Sequence, residues 1–145
     1  MKALSNIQIE HILAHNGIKF NGIFSKDKLP KEFKQGWYII NLQNENEGRG
    51  THWTCFKVFG KELLYYDSMG FICPLEVLKG AKDYVIYNTE QIQNDLSSSC
   101  GWFCIALIEN DDKSSGSSLR KFAHFLAKFS NNTKVNERIL QRIFA

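Results

Sequence analysis

The stretch GWFCIALIE (101–109) constrains the fold more than any other part of the chain. Wound as a helix it is apolar on nearly every side, so it has no face to offer water and must be surrounded. A chain of 145 residues can supply that surround as one domain (1–145), whereas two domains would leave each half with too little core. Hydrophobic residues make up 43% of it, which argues against disorder, and 11 Phe, 5 Tyr and 3 Trp provide bulk to bury.

The elements around this helix can be read from local signals. Ser5 stands three residues before Gln8, the spacing of a capping box, and Ile7, Ile12 and Leu13 suit a short helix ended by Asn16-Gly17. IKFNGIFSKDKLP (18–30) reads as a loop with apolar anchors, Lys31 to Gln35 as a turn, and WYIINL (37–42) as a buried strand. After the polar loop NENEGRG (44–50), HWTCFKVF (52–59) and ELLYYD (62–67) flank Gly60-Lys61, which predicts a type II′ hairpin. LEVLKG (75–80) predicts a helical turn and DYVIYN (83–88) a strand. KSSGSS (113–118) reads as a surface linker before two amphipathic helices over 119–129 and 135–144. The order predicts an α+β domain, its central sheet mainly antiparallel and flanked by helices.

Composition excludes several classes. No apolar run approaches the roughly 20 residues of a membrane span, so no membrane partner is expected. MKALSNIQIEH has no secretory h-region, so a non-secreted chain is expected, with Cys55, Cys73, Cys100 and Cys104 reduced and Asn131-Asn132-Thr133 unglycosylated. The formal charge of +3 is spread along the chain and permits only weak DNA binding. None of the cysteines has the spacing of a structural zinc site, and neither a metal nor another cofactor is expected.

Three places can carry chemistry. Pairing Phe59 with Glu62 sets Thr54 opposite Asp67 and His52 opposite Met69, so His52 and Asp67 become diagonal neighbours at the open end of the hairpin. An Asp bonded to one imidazole nitrogen leaves the other free as a base. Cys100 stands where the polar loop SSS enters the buried helix; unpaired N–H groups and the positive dipole end there favour a thiolate. Gly101 lets a substrate backbone come close to the sulfur. Gln93, seven residues earlier, can donate to an oxyanion alongside the Cys100 N–H, though by composition Gln91 is equally available. Cys104, one turn further on, reads as a small buried hydrophobe.

Taken together, His52 followed by Trp53, Asp67 in YYDSMGF, Gln93, and Cys100 in SSSCGWFC resemble the adenovirus-protease-like cysteine peptidases. These share the papain-like fold of the SUMO- and ubiquitin-like-protein peptidases. GTHW is similar to the family's Gly-x-His-Trp, and the seven-residue gap between Gln93 and Cys100 is the adenoviral spacing. FNGIFSKDKLP followed by WYIINL resembles the segment that precedes the family's catalytic His, and the resemblance extends over about residues 1–130. Asp67 departs from the adenoviral Glu and agrees with the SUMO-type branch. DYVIYN has no cysteine to hold the disulfide-linked activating peptide of the adenoviral enzymes, so the resemblance does not extend to that activation or to a DNA cofactor.

The resemblance implies a cysteine endopeptidase with Cys100 as nucleophile, His52 as base, Asp67 as its orienting acid and Gln93 in the oxyanion hole. It also implies a narrow cleft lined by Trp53, Gly101 and Trp102, with small residues, often Gly, before the scissile bond. The implied source is a small DNA virus, virophage or polinton-like element. There it would cut capsid or core precursors in the virion, the host cytoplasm or the assembly site. Two rival expectations are an isopeptidase for ubiquitin-like modifiers and an inactive binding module on the same fold.

Overall fold

The computed structural model describes residues 1–44 and 52–145, so the expected loop 44–50 lies, but for Asn44, outside the described residues. The chain begins with α1 (Asn6–His15), whose capping box forms as its spacing requires: the Ser5 hydroxyl accepts from Gln8 N at 3.2 Å and the Gln8 side chain accepts from Ser5 N at 2.9 Å. Next come β1 (Ile23–Ser25), a 3-10 turn (Lys26–Lys28) and β2 (Gly36–Asn41). β1 falls in the stretch read as a loop. Three residues are too few to show a period, and the pairing that makes them a strand comes from Ile39–Asn41 in β2.

The hairpin follows as β3 (Trp53–Phe59) and β4 (Glu62–Tyr66), with Phe59 opposite Glu62. Gly60 has φ +61 and no non-glycine residue described has positive φ, which excludes a type I′ turn and fits type II′. α2 (Leu75–Leu78) and β5 (Val85–Tyr87) complete the first half of the chain. The five strands lie in the order β1-β2-β3-β4-β5. The antiparallel pairs β2–β3 and β3–β4 hold six and five paired positions; the parallel pairs β1–β2 and β4–β5 hold three each. The sheet is therefore mixed, antiparallel through its centre with parallel outer pairs.

Both faces of the sheet are covered, which is why WYII (37–40) reads as an apolar run with no alternation. Tyr38, Ile40, Phe56, Leu63 and Tyr65 point to one side, where Phe33, Cys73 and Val77 cover them; Tyr38 and Phe56 stack with centroids 4.9 Å apart. Trp37, Ile39, Cys55, Leu64 and Tyr66 point to the other, against α3 (Cys100–Lys113). α4 (Ser118–Leu126) and α5 (Thr133–Ile143) pack on that helix in turn, through Phe122, Phe125 and Leu140. The molecule is thus α+β, with α3 in the middle of its larger core. Each fully buried side chain such as Phe103 or Ile105 stabilises it by about 1.5–3 kcal/mol.

α3 runs one turn past the apolar stretch. Its polar extension is held by Asp111, which accepts from Lys57 Nζ at 2.8 Å and Trp37 Nε1 at 3.2 Å and pairs with Lys121 at 3.2 Å. These contacts fix the far end of the helix to β2, β3 and α4. They leave its first turn at the ends of β3 and β4.

Candidate active site

The register of the hairpin decides where its open end points. His52 immediately precedes β3 and Asp67 immediately follows β4, so the diagonal expected from the pairing is formed. His52 Nε2 and Asp67 Oδ1 lie 2.7 Å apart. Asp67 is fully buried, and its backbone is clamped by Asn88, whose Oδ1 accepts from Asp67 N at 3.1 Å and whose Nδ2 donates to Asp67 O at 2.6 Å. Asp67 Oδ1 also accepts from Met69 N at 2.8 Å. The carboxylate therefore cannot swing away from the ring.

With Nε2 committed to Asp67, Nδ1 is the ring atom left for Cys100, whose thiol acts on the ring and raises its pKa. Cys100 is the first residue of α3, and its Sγ also accepts from Trp53 N at 3.4 Å. The residue after His52 thus holds the sulfur beside the ring. Burial lowers the pKa of His52 and is the largest single influence on it. Hydrogen bonds to Asp67 and Cys100, with the charges of both, outweigh that and raise it from 6.5 to about 9.

Gln93 and Gln91, indistinguishable by composition, have different surroundings. Gln91 is exposed, and its Nε2 donates to Gln93 O and Asp95 Oδ1, which uses both hydrogens. Gln93 is 2% exposed; its Oε1 accepts from the Ser68 hydroxyl at 2.6 Å and its Nε2 donates to Ser97 O at 2.9 Å. Only Gln93 reaches both the Asp67 turn and the loop that carries Cys100. The close approach depends on Gly70, at φ +76, because a Cβ there would sit 2.8 Å from the Glu90 backbone.

The expected cleft residues meet the N-terminal segment. Trp53 Nε1 donates to Leu4 O and Trp102 Nε1 to Lys2 O, each at 2.9 Å. A Cβ on Gly101 would lie 3.3 Å from the Leu4 side chain. The Trp102 ring stands edge-on to Phe144 at the end of α5. All three residues adjoin His52 or Cys100 in sequence, but the groups named here contact residues 2–4, and the Trp102 ring turns to α5.

Cys104 is 1% exposed, donates to Trp53 O at 3.6 Å, and burial pushes its thiol well above the ordinary range. Burial likewise pushes Cys73 up to about 12. Among the described residues no group of three or more His, Cys, Asp or Glu is placed to hold a metal, and no helix is long and apolar enough to cross a membrane.

Ser68, Asn88 and the carbonyls of Lys2 and Leu4 were not legible as site residues. Ser68 and Asn88 do share a local signal: each is a polar residue standing just beyond a run of strand-forming side chains.

No protein-family model matches the sequence, and no curated protein matches it. Among solved structures, the crystal structure of the selenomethionine form of the ASFV pS273R protease aligns with a TM-score of 0.46 and 16% identity. The alignment covers 72% of this chain and 43% of that one, so this chain spans less than half the length of that protein.

Proposed function

We propose that the protein is a cysteine endopeptidase. The observation that carries this is His52, which bridges a buried carboxylate 2.7 Å away and the thiol at the start of a helix. Those three groups, in that order, are what nucleophilic attack by sulfur on a carbonyl requires.

Cys100 has given its proton to His52 Nδ1 before Sγ attacks the substrate carbonyl, in keeping with the raised pKa of the ring. Asp67 holds the ring in place and stabilises the imidazolium. The oxyanion is received by the Cys100 N–H at the helix start and by Gln93 Nε2, which has a second hydrogen beyond the one given to Ser97. His52 then protonates the leaving amine, and water, activated by the same ring, releases the acyl group.

The family resemblance in the motifs extends this reading to substrates with small residues before the scissile bond, and to capsid and core precursors cut at a viral assembly site or in the virion. Purified protein should cleave Gly-containing precursor peptides, and Cys100→Ala and His52→Ala should each abolish cleavage. Full activity in Cys100→Ala would end the proposal.

A further inference from the structure

We infer that Ser68 is the residue that makes Gln93 an oxyanion donor. The inference rests on the peptidase reading above and names a positioning residue for the same site. A glutamine amide presents an oxygen on one side and hydrogens on the other, and a flip would aim its oxygen at a developing oxyanion. Ser68 and the Ser97 carbonyl, which can only accept, remove that freedom between them. The Ser68 hydroxyl donates to Gln93 Oε1 at 2.6 Å, and its carbonyl accepts from Gln93 N at 2.9 Å and Ile92 N at 2.8 Å. The oxygen is thereby turned to Ser68 and the nitrogen to the nucleophile loop, where Nε2 meets Ser97 O.

Ser97 continues the connection: its hydroxyl accepts from Ser99 N at 3.0 Å, and Ser99 directly precedes Cys100. Ser68 itself directly follows Asp67. One turn after β4 therefore orients the acid that serves His52 and, through the next residue, the amide that faces the oxyanion. Ser68 is 1% exposed and touches no substrate, so its effect must pass through Gln93.

Two reactions of Cys100 separate this role from general support of the fold. Alkylation by iodoacetamide needs a reactive sulfur but creates no oxyanion. Acylation by the p-nitrophenyl ester of acetyl-Gly-Gly needs both: the S–C bond forms, p-nitrophenolate leaves, and the tetrahedral oxyanion must be held in between.

In Ser68→Ala, acylation should fall by about 10²-fold with kcat carrying the loss and KM little changed, the size expected for losing one such donor. Alkylation should stay within about twofold of wild type, since neither Asp67 nor His52 is touched. Adding Gln93→Ala to Ser68→Ala should cost little more, because both remove the same donor. Ser68→Thr, which keeps the hydroxyl, should restore acylation.

If Ser68→Ala acylates like wild type, or loses alkylation and acylation together while still folded, the inference is overturned. If Ser68→Ala does not fold, Ser68→Thr decides: a folded Thr variant with acylation as low as that of Gln93→Ala overturns it, and one with wild-type acylation supports it. Wild-type protein that is alkylated yet never acylated overturns the peptidase reading, and this inference with it.

Discussion

The two ends of α3 do different work with similar materials. At its start, Cys100 has a ring and a backbone N–H against its sulfur, and the Ser99 side chain caps nothing. At its end, Asp111 is enclosed by Lys57, Lys121 and Trp37, so its carboxylate is well satisfied. An ionisable group near a helix terminus becomes a reagent when its surroundings leave it a reaction to perform. It becomes an anchor when every lone pair is already taken.

Removing the reagent should break the comparison most completely. Cys100→Ala should lower peptide cleavage by about 10⁴-fold or more while changing the melting temperature little, because only a small side chain is lost and the His52–Asp67 pair remains. Steady-state cleavage and thermal melting on one preparation would check both halves.

Next in size is Asp67→Asn, which keeps the shape of the acid and removes its charge. Cleavage should fall by about 10²–10⁴-fold, through loss of ring orientation and of imidazolium stabilisation. The pH profile gives the sign. The folded pKa of His52, about 9, stands above its free value of 6.5, so the imidazolium and its pairing persist below 6.5 and are lost as pH rises through 9. Wild-type kcat/KM should therefore show an alkaline limb near 9, and Asp67→Asn should move that limb to lower pH. A limb that stays in place would show that Asp67 does not set the charge state of the ring.

At the anchored end the expected effect is on stability. Asp111→Ala takes the carboxylate from two partly buried ammonium groups and leaves Lys57 with the Ser118 hydroxyl and Lys121 with the carbonyl of residue 111, which should cost about 2–4 kcal/mol, less than for a fully buried pair because both lysines retain some exposure to water. Chemical denaturation would measure it. Cleavage per folded molecule should remain near wild type, and a large loss of kcat there would mean that the two ends of the helix are not separable.

These two ends also show what a sequence makes legible. The arrangement at the helix start was legible because its signals are short-range: a small-residue loop, a Cys, an apolar run, and a hairpin whose two-residue turn fixes His52 beside Asp67. The anchored end was not, since nothing in ENDDK tells that Asp111 is buried until Lys57, 54 residues away, is brought to it. The same limit explains why composition alone left Gln91 open beside Gln93, a choice the family resemblance made: the deciding hydroxyl belongs to Ser68, 25 residues upstream. It also hid β1, a strand only by virtue of its pairing with β2, and the contacts of Lys2 and Leu4 with the two indoles.

The finest comparison lies within the first two turns of α3. Cys100 and Cys104 are the same residue, four positions apart and both nearly inaccessible, at 5% and 1% exposure. What separates them is partners. Cys104 donates to Trp53 O and lies beside the Cys55 thiol, and burial, with that neighbour, pushes its own thiol well up, so it should stay a neutral donor at neutral pH. Cys104→Ala should then cost only about 1–2 kcal/mol, from a small cavity and one weak bond, and leave kcat within about threefold. The residual effect should be greater on kcat than on KM, because Trp53 carries the N–H that holds the Cys100 sulfur. Mass spectrometry after brief iodoacetamide treatment at neutral pH should find one label, on Cys100, in wild type and Cys104→Ala alike. A label on Cys104 would mean that burial does not distinguish the two thiols, and the division between them would have to be given up.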